Sequence, residues 1–180
     1  RLLSVVASEY GVTGSINLDG ARLKGAQMRS LSVFSGLDPD RREAPSFVGA
    51  DLEGARIEAR LDGTDFRNAN LTRATLAAQT AIWGSYKPRT VLNGADFTGA
   101  RMVEADLERA VLQFARFNGA DLTRANLRRT DLSRADLTGA NLTGADLTGA
   151  DLDGTNLAGV TGLASVVGLD TAAHLDSVRR

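Results

Sequence analysis

Carboxylates recur through the second half of the chain at Asp96, Asp106, Asp121, Asp131, Asp136, Asp146 and Asp151. Rows of carboxylates hold hard cations or work as acid–base pairs. The slot they occupy argues for something plainer. Each Asp stands immediately before a large apolar residue, and Asn126, Asn141 and Asn156 fill the same slot. Ionisation is therefore not what the slot demands. Asp and Asn share a short side chain whose oxygen accepts a hydrogen bond from nearby backbone, which suits turn building.

A second cluster is basic: Arg109, Arg116, Arg124, Arg128, Arg129 and Arg134. It reads as a solvated face or as a docking patch for an acidic partner. Trp83, Tyr86, Lys87 and Pro88 form a third group in an irregular stretch. They are candidates for partner contact, since aromatics are enriched at binding hot spots; the other reading has Trp83 filling a widened corner. His174 is the only histidine and there is no Cys, so no soft zinc set and no disulfide can be assembled. No phosphate-cradling glycine loop is present. The chain carries no expected catalytic, metal or cofactor site, and no small-molecule substrate is evident.

What must position these residues is a repeat. The chain reads A-D-L-T-G at 135–139, A-N-L-T-G at 140–144 and A-D-L-T-G at 145–149. Large apolar centres fall every five residues from Leu92 to Leu157, each preceded two positions earlier by Ala, or by Thr at Thr90, Thr130 and Thr155. A period of five fits neither a helix nor a long strand. Within one phrase Ala145 and Leu147 alternate with Asp146 in the strand manner, and Thr148-Gly149 has turn chemistry. Each phrase is then one short extended side plus one corner, with Ala and Leu inside and Asp, Asn, Thr and Arg outside.

The tandem A-[D/N]-L-x-x phrase resembles the pentapeptide-repeat family, over 91–159 and, with interruptions, over 15–34 and 46–78. The resemblance implies an all-β solenoid, a right-handed quadrilateral parallel β-helix, in which residues twenty apart lie one above another. Phe97 and Phe117 should then stack, with Leu137 and Leu157 continuing the column. Glu104 should lie over Arg124, Glu108 over Arg128 and Arg109 over Arg129.

The register breaks in three places. S-G-L-D-P-D-R-R-E-A-P-S at 35–46 and the segment 81–90 read as loops leaving near one edge of the prism. The step from Ile57 to Leu61 is four residues, so one residue must be absorbed at the corner near Glu58–Ala59. Residues 1–14 read as an N-terminal cap or an upstream tail, 15–159 as the β-helix, and 160–180 as a C-terminal cap with a short helix around Thr171–Val178. These parts form a single domain, 1–180. Caps are needed because an open end exposes core side chains and strand edges.

The chain balances 21 Lys+Arg against 22 Asp+Glu, so direct nucleic-acid binding is not expected. No apolar run approaches the ~20 residues of a membrane span. Cytoplasmic placement is favoured, although an upstream membrane anchor before Arg1 is compatible with the sequence. The expected role is a non-enzymatic scaffold or accessory module with a protein partner of unidentified nature. The C-terminal cap is a candidate homodimer surface. An alternative comes from the resemblance alone: some pentapeptide-repeat proteins mimic duplex DNA, bind DNA gyrase and confer quinolone resistance.

Overall fold

The computed structural model describes residues 17–32, 44–77 and 90–178. The chain winds into a four-sided coil in which each side contributes one bridging residue to a parallel ladder. The first side runs Asn17, Ser46, Asp65, Asp96, Arg116, Asp136 and Asn156. From Asp96 onward these partners are twenty apart, as four five-residue sides require. The second, third and fourth sides carry matching ladders, such as Arg101↔Asp121↔Asn141, Asp106↔Asn126↔Asp146 and Val111↔Asp131↔Asp151.

One side shows the local physics. The N–H of the centre Phe97 donates to Arg116 O in the following coil at 2.7 Å, and Arg116 N–H returns a bond to Ala95 O at 2.9 Å. Between centre and next Ala the chain closes a turn, with Ala100 N–H on Phe97 O at 2.9 Å. The outward Asp96 carboxylate accepts the N–H of Thr98 at 2.9 Å. Asn126, Asp131, Asp136, Asn141 and Asp146 make the same i to i+2 bond. Asp and Asn thus brace the corner, and either side chain suffices.

The interior is Ala alternating with Leu, Phe, Met or Ile. Phe47, Phe66, Phe97 and Phe117 are fully buried and form one column. Their centroids are 5.1, 5.0 and 4.9 Å apart with planes within 9°, close to the ~4.8 Å strand spacing. The Phe97–Phe117 stack follows the twenty-residue rule, and Leu137 and Leu157 continue the same side.

The four-residue step is absorbed where expected. Strand β1 (Gln27–Ser32) pairs in parallel with β2 (Arg56–Arg60). β2 runs straight across the corner, so Ile57 and Leu61, four apart, point to the same side and are both buried. The ladder shifts between Arg29 and Leu31, which leaves β1 one residue longer than its partner.

The two interruptions lie largely outside the described residues, which place only their flanks. Ser32 lies on the fourth side and Ser46 on the first, whereas Thr75 lies on the third and Val91 on the fourth. The described ends therefore flank the fourth side at both of its edges. Ser46 and Thr90 already belong to the coil: Ser46 bridges Asp65, and Thr90 is buried.

Beyond Val160 the chain continues the coil in a different register. Thr161, Val167 and Ala173 bridge Asn141, Asp146 and Asp151, so the sides now step by six. Each hexad opens on a left-handed residue (Gly162, Gly168, His174) followed by a short 3-10 turn, at Leu163–Ser165, Leu169–Thr171 and Leu175–Ser177. The hydroxyls of Ser165, Thr171 and Ser177 donate to the carbonyl three residues back. They also accept the N–H of corner glycines Gly144, Gly149 and Gly154 in the preceding coil. A hydroxyl thereby replaces the carbonyl that a pentapeptide side supplies. Leu163, Val166, Leu169 and Leu175 half-cover the core.

Candidate interaction surface

The corners decide which side chains face solvent. The third turn residue sits at positive φ, and Gly fills it at Gly94, Gly99, Gly119, Gly139, Gly144, Gly149 and Gly154, where it costs least. Other corners do not use Gly. Arg73, Arg109, Arg124, Arg129 and Arg134 adopt φ between +54° and +61° there, as do Glu104 and Phe114. A left-handed backbone costs an L-residue about 1–2 kcal/mol, and the turn needs no side chain. In the coil 116–135 arginines hold three consecutive corners, Arg124, Arg129 and Arg134. They project over Gly144, Gly149 and Gly154 of the next coil, where an added Cβ would lie 3.4–3.6 Å from an arginine Cγ.

Of the expected basic site, Arg109 and Arg129 stack at the corner between the third and fourth sides, and Arg124 occupies the corner before it. Arg124 meets Glu104 at 2.7 Å, as the twenty-residue rule requires. Glu108 does not pair with Arg128: it lies 3.6 Å from Arg109 and 4.0 Å from Arg129, and Arg128 turns instead to Asp146 at 3.0 Å. The reason is geometric. Arg128 stands one residue before the corner, within reach of the carboxylate eighteen positions on. Trp83, Tyr86 and Lys87 lie outside the described residues.

Charge is banded along the axis. The coil 116–135 carries five arginines against two aspartates, and the coil 136–155 four aspartates and no basic residue. Burial pushes the Asp136 carboxyl up, but Thr138 and Asn118 outweigh it and hold it below its ordinary value. Burial acts likewise on Asp146, where the Thr148 hydroxyl and N–H and then Arg128 prevail. In the second coil Lys24 and then Arg73 hold Glu53 low. At the C-terminal end Asp151, 2.8 Å from His174 Nδ1, raises the imidazole above its ordinary value.

Sequence reasoning passed over Phe114, which is 53% exposed at a corner and lies under the Arg134 guanidinium, 5.5 Å from the ring centroid. The signal was available: Phe114 fills the slot that reads Gly at Gly94 and Gly154. It also passed over the hexads G-L-A-S-V, G-L-D-T-A and H-L-D-S-V, which share one pattern at six-residue spacing. Among the described residues no His, Asp and Glu are grouped to hold a metal ion. No described helix is long and apolar enough to cross a membrane.

A family model described as pentapeptide repeats matches residues 46–77, 90–129 and 120–159, in eight copies. Among solved structures the chain is similar to a trypsin-treated variant of QnrB1, a plasmid-mediated fluoroquinolone resistance protein. Identity there is 20%, with 91% of this chain and 76% of that chain covered and a TM-score of 0.62. It is also similar to HetL, a pentapeptide-repeat protein involved in heterocyst differentiation regulation in the cyanobacterium Nostoc sp. strain PCC 7120. That match has 29% identity, 91% and 69% coverage and a TM-score of 0.45. Rfr23 from the cyanobacterium Cyanothece 51142 matches at 26% identity, 84% and 90% coverage and a TM-score of 0.47. No curated protein sequence matches the chain. The family-model match, spanning more than half of the chain, and the four-sided ladder agree: the chain belongs to the pentapeptide-repeat family, with the right-handed quadrilateral β-helix fold.

Proposed function

We propose that this chain is a rigid scaffold that holds a protein partner along its arginine-bearing corners, with Arg109, Arg124 and Arg129 as contacts and Arg128 beside them. One observation carries the reading: arginines occupy left-handed corner positions that glycine fills elsewhere at lower cost. Exposed ion pairs contribute only about 0–1 kcal/mol, so the Arg124–Glu104 and Arg129–Glu108 contacts do not offset that cost. The duplex-DNA-mimic reading draws less support. A mimic needs continuous negative charge, and the arginine belt of 116–135 separates the acidic coil 136–155 from the coil 96–115.

The test is a triple substitution, Arg109→Gly, Arg124→Gly and Arg129→Gly. It should leave the melting temperature unchanged or higher, because glycine relaxes each corner, while abolishing co-purification of the partner that the unsubstituted chain captures. Retention of that partner by the folded triple variant would sink the proposal.

The half-buried apolar side chains of the six-residue coil, together with Val167 at 55% exposure, offer a second contact for self-association. Light scattering across a concentration series, with Val167→Asp as the monomeric control, tests it.

A further inference from the structure

We infer that the edge between the fourth and first sides, at Phe114, Arg116 and Arg134, docks an acidic protein segment that bears one exposed aromatic or large aliphatic side chain. This goes beyond the scaffold proposal, whose contacts lie on other corners, and it rests on that proposal only in treating the prism as a protein-binding module.

Phe114 is the starting point. A bulky residue at φ +59° is an outlier, and a half-exposed phenyl forgoes most of the benefit of burial. The same corner is glycine at Gly63 and Gly94 below and at Gly154 above, so neither turn nor ladder needs a ring. Phe114 is not core either, since the buried column is Phe47, Phe66, Phe97 and Phe117. The exposed contact with the Arg134 guanidinium offsets only part of the left-handed strain, so the fold gains little from the ring.

Its neighbours specify the occupant. Arg134 covers the ring from the coil above and has no carboxylate partner among the described residues. Arg116, two residues along the chain, is 63% exposed at its side chain; it lies 4.0 Å from Asp96 and also acts on the carboxylate of Asp136, its ladder partner in the next coil. Arg134, the guanidinium with no carboxylate in contact, covers the ring, and that favours a carboxylate-bearing partner. Below the ring the corner is Gly94, where an added Cβ would meet nothing within 4 Å, so an apolar side chain can approach Phe114 from that side without a clash. Above Arg134 the surface continues as a shallow depression of about 450 Å³ lined by Arg134, Ala135, Asp136, Asp153, Gly154 and Asn156. Asp136 and Asp153 repel an acidic segment there. The partner's carboxylates therefore meet Arg134 from the side away from that depression, and its apolar group lies towards Gly94.

A nucleic-acid strand also combines negative charge with a stacking face. It is disfavoured because its evenly spaced phosphates would meet the aspartates of 136–155, about one 4.8 Å coil away.

The experiment uses fluorescein-labelled 12-residue peptides and fluorescence anisotropy on the full chain. One peptide is Asp/Glu-rich with a central Trp; a second replaces the Trp by Ala; a third replaces the acids by Lys; a single-stranded 12-mer DNA is the fourth probe. The acidic Trp peptide should bind at least roughly tenfold more tightly than each of the others. Phe114→Gly should erase the preference for Trp over Ala, and Arg134→Gly should erase the preference for acid over Lys. Both variants place glycine at a left-handed corner, so neither should melt below the unsubstituted chain. Equal binding of all peptides, tighter binding of the oligonucleotide, variants that change no preference, or a lower melting point for Phe114→Gly would each overturn the inference. The scaffold proposal is judged separately: peptide preferences unchanged in Phe114→Gly refute this inference, and leave that proposal standing if the triple arginine variant still loses its partner.

Discussion

At the scale of single residues, the slot before each centre is a brace. Asp136 accepts the N–H of Thr138 and the amide of Asn118, while Leu137, the next residue, is buried at the most regular part of the ladder. Leu137→Ala should therefore cost roughly 2–5 kcal/mol, because neighbouring coils cannot shift to refill the space without losing register. Thr138→Ala removes only an outward hydroxyl, bonded to Asp136 and Asn156, and should cost about 1 kcal/mol or less. Equal urea midpoints for the two variants would contradict the inside/outside assignment. His174 supplies the pH dependence. Its folded pKa is raised by Asp151, with Asp153 and Asp176 adding to the effect. The contribution is thus fully present below the unfolded value of about 6.5 and is lost as pH rises through the higher folded value. An NMR titration of the single imidazole should show a midpoint above 6.5 that falls towards it in Asp151→Asn; an unshifted midpoint in the unsubstituted chain would refute the pairing.

At the scale of the element, the coil tolerates three side lengths because each satisfies the same two demands: apolar residues inward and backbone groups paired. Five residues need a turn with one left-handed position. Four residues work only if the corner is straightened, as in β2. Six residues work if a 3-10 turn offers a hydroxyl in place of a carbonyl, as Ser177 does for Gly154 N–H at 2.8 Å. Ser177→Ala should leave that N–H without its acceptor and raise hydrogen exchange at Gly154, with Gly144 unaffected. Ser165→Ala should do the reverse, since Ser165 serves Gly144. Uniform exchange changes in both variants would show instead that the terminal coil frays as a unit.

At the scale of the whole molecule, the prism carries charge in bands, with the arginine-rich coil 116–135 between the coil 96–115, which has four acidic residues to two arginines, and the acidic coil 136–155. A basic DNA-binding groove would meet like charge at the belt. Micromolar protein should accordingly leave gyrase supercoiling uninhibited and give no protection from quinolones. Strong inhibition that weakens with added salt, and is lost on Asp146→Lys with Asp151→Lys, would reverse that reading.

The five-residue phrase by itself determined the inward set from Leu92 to Leu157; with the four sides that the family resemblance implies, it also placed the Phe97–Phe117 stack and the Glu104–Arg124 pair. It could do so because each coil contacts only its neighbours, so register along the chain converts directly into position in space. The same reading assigned Asp and Asn to the corners, since one slot filled by both admits only a hydrogen-bonding role. Tertiary structure alone decided what depends on reach or backbone angle. The choice of Arg128 between Glu108 and Asp146 is a matter of side-chain length across coils. The six-residue coil was hidden because its period differs from the one that precedes it. The left-handed backbone of Arg109, Arg124, Arg129 and Phe114 emerged only when each was seen at a turn that the ladder forces on whatever residue stands there.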